Sequence, residues 1–547
     1  MRRLALSLGF VIACLVTQGC GGGAVPAVPP PGGGADRITS LAEIATETQT
    51  LTNENFQGNA SAILATLRAR SDVESATLVE DADSNTIQVW LKSGPMLVIA
   101  RNRPLGPSSS AATLAREKSR SAGYALPNGT QATAFFSFAD PLFTDSSTAC
   151  LGVLRQAGYT AATTPKKGSI DDYKALGDAG ILMIESHGVP VELDKSTREQ
   201  GIALMTSVTP TPELDALYKD DLADHSLAYI NAGGADGTKY LITSRFVRKY
   251  VKVAPQAFVF LNTCHSLAKQ DLAQAFLDAG AGVVFGWTKP VEDVHAAETA
   301  FFLFDKLAGT TSLAPKLNAT QQPPLDWDAA FAAARQTNRA GSGIWTLDTS
   351  LRGKTKLAVL SKPNSLGTVL PSIESALANA ENNTITLTGR FGFVAGSALG
   401  NPTGSKVNLA VSKWGPTSVT IPLVAGVTSV QLAVNGIKGP VFPLLGTYTI
   451  SGPLRTPFEV RDQIEVSVGS VSVFSGTGAS IPPVVFQAIP GQKVRVKIST
   501  TKSFGGSSDL YITPPSGTPY AIRPKAFDLL PNPSTGVISD LEYSLIP

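Results

Sequence analysis

The chain is poor in the residues that bind metals and redox groups. Its 547 residues contain four cysteines and four histidines. None of them falls in a C-x-x-C or H-E-x-x-H spacing, and no phosphate-binding loop is present, so neither a metal nor a bound cofactor is expected. Charge is equally sparse: 16% of residues are charged and the formal net charge is +2, which gives no electrostatic reason to expect a nucleic-acid partner. Beyond the first twenty residues no apolar run is long enough to span a bilayer. What is abundant is Gly, Ser, Thr and Pro, an ordinary composition for an exported protein with β domains.

The amino terminus has the plan of a secretory signal. Arg2 and Arg3 precede an apolar stretch from Leu4 to Val16, and Gly19 and Cys20 follow. The segment resembles a bacterial lipoprotein signal, which implies Cys20 as the lipid-bearing first mature residue and an exported protein anchored on the cell envelope or surface. Thr17 stands where that motif usually has Leu, and Gln18 is larger than usual. The alternative is plain secretion with Cys20 left as a thiol. Residues 21–37 read as a tether; its opening run GGGAVPAVPPPGGG, Gly21 to Gly34, reaches at most ~45 to 50 Å fully stretched.

Two segments further on carry the chemistry. ILMIESHG ends in His187 and Gly188, and AFVFLNTCHS delivers Cys264 after a continuous apolar run. Both suit strands buried on two faces, as in the middle of a parallel sheet. Ligands of such sheets sit beyond the carboxyl ends of the strands, so a thiol and an imidazole are expected on one rim. Ser266 is placed to cap a helix carrying Leu272, Ala275, Phe276 and Ala279, which would set the thiol at a helix amino terminus and favour thiolate. A buried strand, AGAGVVFGW, and the helix VHAAETAFFLFDKLA follow. Gly280, Gly282 and Gly286 do not make a dinucleotide fingerprint, because they precede and occupy a strand.

"ESHG", "LNTCHS" and "AFLDAGAGVVFGWTKPVEDVHAAETAFFLFDKL", in that order, resemble the caspase-like cysteine peptidases, among them gingipain, clostripain, separase and the CHAT peptidases. The resemblance covers about residues 130 to 362. It implies an α/β parallel-sheet catalytic domain that cleaves protein or peptide substrates. It also implies His187 as general base or acid, Cys264 as nucleophile, and the backbone amides of Gly188 and Cys264 as oxyanion donors. Relatives commonly take a basic residue through an acidic pocket, which points to Trp287, Glu292 and Asp293; the competing reading of the last two is a solvated turn after Pro290. On that basis the cluster Arg116, Lys118 and Arg120 is a candidate self-cleavage loop. No third catalytic residue is assignable. The alternative function is a catalytically inactive caspase-like surface binding or adhesion protein, and a third possibility is acyl chemistry on a non-peptide substrate. Cys150 and Cys264 could instead form a disulfide, though Cys150 shares a helical face with Val153 and Leu154 and suits a core position. His265 and His295 are expected in solvent.

The chain is therefore expected to be multidomain. Residues 1–20 are the signal, 21–37 the tether, and 38–129 a small α+β module and linker, with Ile63, Leu64 and Leu67 on one helix face and a hairpin turning at Ser93 and Gly94. Residues 130–372 are the peptidase domain, with a rim insertion in which Asp236 and Gly237 mark a hairpin turn. From 373 the period changes to two. Residues 373–457 resemble an IPT/TIG immunoglobulin-like β-sandwich, and 458–547 continue as a second β domain read as a stalk or brace, or else as an adhesive or substrate-docking unit.

Overall fold

The computed structural model describes residues 34–79, 86–100, 125–339 and 355–545, with short omissions inside the last two stretches. The signal, most of the tether and the Arg116 to Arg120 cluster lie outside the described residues. The chain folds as a multidomain α/β and β-rich protein. Among the described residues no helix is long and apolar enough to cross a membrane.

Among the described residues thirteen strands build the first two sheets. They are β1 (Val73–Leu78), β2 (Thr86–Leu91), β3 (Met96–Ala100), β4 (Gln131–Phe136), β5 (Thr160–Ala161), β6 (Ala179–Glu185) and β7 (Gly188–Asp194). After these come β8 (Glu199–Met205), β9 (Leu227–Asn231), β10 (Thr238–Ile242), β11 (Ala257–Asn262), β12 (Ala281–Trp287) and β13 (Leu357–Ser361). One sheet runs β13-β12-β11-β6-β4-β5, parallel throughout except for the edge strand β13. Every residue of β6, β11 and β12 is buried, as the unbroken apolar runs require. Val259 and Leu261 face a core with Leu272 and Phe276 on one side. Phe258 and Phe260 meet Leu154, Leu303 and Phe304 on the other. Because β5 lies on one side of β4 and β6 on the other, the sheet has a topological switch beside the carboxyl end of β6.

The second sheet runs β1-β2-β3-β9-β10-β8-β7 and crosses the boundary expected at residue 129. The hairpin at Gly94 forms as expected, and Ile63 and Leu67 of helix Gly34–Ala69 are buried. These elements do not stand apart, however: β3 pairs in parallel with β9, joining Val98 to Ile230. The sheet curls until β2 reaches β7. There the buried Gln88 amide donates to the Glu192 carbonyl at 2.7 Å and accepts the Glu192 N–H at 2.6 Å, satisfying an edge strand by side chain. Trp90, Met96 and Val98 line its inner face with Val189, Val191 and Leu193. The same helix begins at Gly34, inside the segment read as tether.

Two β units follow. Sheets of strands 372–390 with 413–422 and of 397–409 with 429–443 enclose one core. Strand Gly446–Pro453, expected to close that unit, instead pairs with Ser480–Ala488 and Leu510–Thr513 and packs Tyr448 and Ile450 into the next core. The division thus falls near residue 445 instead of 457. Arg390 ties the first β unit back to the α/β region through Asp326 and the Pro324 carbonyl.

Candidate active site

Glu185 of β6 and Asn262 of β11 sit opposite one another in the parallel ladder, and the Asn262 amide donates to the Glu185 carboxylate at 3.1 Å. His187 and Cys264 each stand two residues beyond the ends of these neighbouring parallel strands, hence at the same rim of the sheet. Gly188 then passes directly under Cys264. A Cβ at position 188 would lie 2.1 Å from the Cys264 carbonyl oxygen and 2.7 Å from Thr263 Oγ1, so only glycine permits the approach. The His187 carbonyl accepts the Met205 N–H at 2.9 Å while Gly188 opposes Leu204. Gly188 is therefore in a non-hydrogen-bonded pair, with its N–H turned away from β8.

His187 is 5% exposed. Its ring meets the rings of Phe138 and Phe143 edge to face, at 4.9 and 5.4 Å. Its Nε2 lies 3.0 Å from Oδ2 of Asp236, also 5% exposed, whose Oδ1 accepts the Ala139 N–H at 2.6 Å. The sequence marks Asp236 only as a turn residue. Its acid-Gly signature suits a hairpin whether or not the carboxylate does anything else, and a separation of 49 positions from His187 hides the contact.

Cys264 is half-buried and, like Cys150, a free thiol, so the disulfide alternative is not realised. The helix expected to start beside it begins only at Asp271. Ser266, instead of capping that helix, turns its hydroxyl back to the carbonyls of Leu261 and Thr263 and accepts the Trp287 N–H. Without a helix terminus, burial pushes the Cys264 thiol pKa up, opposed by the backbone amides of Val291 and Cys264. The Val291 N–H addresses Sγ at 3.5 Å.

The other expected site residues divide. Trp287 is fully buried and donates Nε1–H to Asn262 at 2.9 Å, so it is a core residue and no pocket wall. Asp293 is engaged by the N–H and hydroxyl of Thr144. Glu292 is half-buried at the amino end of helix Asp293–Ala308. His265 and His295 are buried, against expectation. His265 adopts φ +58° in the turn after Cys264, and His295 packs against Trp287, where burial lowers its pKa to about 4.

Beneath the strand ends, Glu185 accepts hydrogen bonds from Ser146, from Ser147 and from Asn262, yet desolvation lifts its pKa to about 7. A carboxyl whose folded pKa exceeds its unfolded one binds the extra proton when folded, so stability falls as pH rises from about 4.5 to about 7 and is flat above. The contribution amounts to up to ~3 kcal/mol. Glu185→Gln should flatten that limb of a stability-versus-pH curve measured by denaturant titration; an unchanged slope contradicts the assignment.

Compared with known proteins, the sequence matches no family model and no curated protein. Among solved structures it aligns with the Arg-specific cysteine proteinase gingipain R at 12% identity and a TM-score of 0.28, over 58% of this chain and 68% of that one. At that identity and superposition, function rests on the geometry of the site itself.

Proposed function

We infer that the protein is a cysteine endopeptidase. The observation that carries this reading is the meeting of two strand ends, where His187-Gly188 lies against Cys264 closely enough that position 188 admits no side chain. In the proposed reaction the Cys264 sulfur forms a bond to the scissile carbonyl carbon while its proton passes to His187. The oxyanion is held by the amides of Gly188 and Cys264. The C–N bond then breaks as His187 protonates the leaving amine, and water, deprotonated by His187, releases the acyl group and restores the thiol. A basic preference at the residue before the cleaved bond would rest on Glu292, since Asp293 is held by Thr144 and Trp287 is enclosed.

The test is a peptide library incubated with the purified full-length protein and, in parallel, its Cys264→Ala variant, with new termini read by mass spectrometry. Internal cuts made only by the wild type support the reading. Cleavage of activated esters without any peptide cut would replace it with non-peptide acyl transfer. The anchor is proposed on the residues before Cys20. Cys20→Ser should move the protein from the detergent phase to the aqueous phase on partitioning, and an unchanged distribution contradicts lipidation.

A further inference from the structure

We propose that Asp236 is a positioning residue for His187, fixing which ring nitrogen exchanges protons with Cys264. The inference rests on the peptidase reading and goes beyond it by converting a dyad into a carboxylate-imidazole-thiol triad whose acid comes from an inserted hairpin. Three observations carry it. Both side chains are buried, so the 3.0 Å contact lies where electrostatic interactions are little screened. The carboxylate is held at both ends, Oδ2 toward His187 and Oδ1 on the Ala139 N–H, so its direction is fixed independently of the imidazole. The turn carrying it is pinned as well: Gly233 N–H bonds the Asn231 side chain, Gly237 N–H bonds the Gly233 carbonyl, and Ala232 N–H bonds the Gly237 carbonyl. Gly233, Gly234 and Gly237 take φ of +72°, +54° and +59°, which lets so short a loop project Asp236 inward.

The consequence is a defined tautomer. An ionised carboxylate only accepts, so the imidazole proton stays on Nε2 and proton exchange with the thiol runs through Nδ1. When Nδ1 takes the thiol proton, the positive charge formed on a buried ring is offset by Asp236; no proton need move to the carboxylate. Ala139 links the same carboxylate to the segment bearing Phe138 and Phe143, whose rings stack on each other and together meet one side of the His187 ring. The His187 ring is thereby held from two directions, by the carboxylate and by the stacked pair.

The test pairs a spectroscopic readout with kinetics on the full-length protein. Long-range ¹H–¹⁵N spectra of histidine-labelled protein are tractable because the chain has four histidines, assignable by single substitution. The wild type should show neutral His187 protonated on Nε2, and Asp236→Asn should shift it to mixed or Nδ1-protonated forms. In kinetics Asp236→Asn should lower kcat by about 10² to 10⁴ with KM within about twofold, because the asparagine side chain can impose the wrong tautomer. Asp236→Ala should lower kcat similarly while leaving the Cys264 thiol accessible to iodoacetamide. A His187 proton on Nδ1 in the wild type, or a spectrum that Asp236→Asn does not change, overturns the proposal even if peptides are cleaved. So does a kcat for Asp236→Asn within about threefold of the wild type. Should the wild type cleave nothing while His187 shows the Asp236-dependent Nε2 tautomer, the positioning role stands and the peptidase reading is the part that fails.

Discussion

Cys264→Ala should abolish peptide hydrolysis, with kcat falling on the order of 10⁴-fold or more, and His187→Ala should do nearly the same. The double variant should be hardly worse than either alone, because a nucleophile and its proton acceptor act as one unit. Progress curves with an excess of enzyme are the measurement. Thermal unfolding serves as the control, and Cys264→Ala should leave it nearly unchanged, since the residue is only half-buried and its sulfur bridges no other sulfur. Activity surviving Cys264→Ala would remove the nucleophile from the account. Loss of activity together with a large loss of stability would leave the chemistry unassigned to the thiol.

Removing residues 1–100 should prevent folding of the α/β region. A cleavable amino-terminal propeptide would predict the opposite, a soluble and active remainder. The structural reason is the long sheet: β3 pairs with β9 through Leu97, Val98 and Ile99, and Trp90 and Met96 fill the same core as Val189 and Val191. Without them β9 loses its parallel neighbour, β7 loses the Gln88 amide, and the hairpin bearing Asp236 is left on an open edge. Soluble yield and the unfolding transition of the truncated chain decide the matter. A milder form is Trp90→Ala, which should cost ~3 to 5 kcal/mol in denaturant unfolding despite lying outside the residues first read as peptidase domain.

The legible parts of this protein were those with local signals. The runs ILMIE and AFVFLN sit in the parallel sheet as their unbroken hydrophobicity requires. Ser169 and Asp172 form the reciprocal cap that their spacing implies. Of the two hydroxyl residues that could cap the helix SRFVRKY, Thr243 and Ser244, it is Thr243 that accepts the Arg245 N–H. What escaped depends on partners distant in the chain. Nothing near Val98 announces a parallel pairing with Ile230: the unbroken apolar run MLVIA marks a strand covered on both faces but does not say which strand lies beside it. Ser266 matches a helix cap in pattern, but its hydroxyl finds the carbonyls of Leu261 and Thr263 first, and the helix starts later. Trp287 is a pocket residue only by family resemblance, which does not say which way its side chain turns; its indole donates to Asn262 in the core. His187 and Cys264 were legible as a pair because each ends an apolar run. Asp236 was not, since a turn signal fully accounts for an acid followed by glycine.

The proposed function stands or falls with a nucleophilic Cys264 activated by His187. The most direct measurement is covalent labelling of the purified protein under reducing conditions with peptidyl acyloxymethyl ketones of varied side chain, the modified residue being located by peptide mass. One adduct is expected, at Cys264, formed quickly by the wild type and slowly by His187→Ala. Adducts spread over Cys150 and Cys264 without dependence on His187, or none with any side chain, would contradict it.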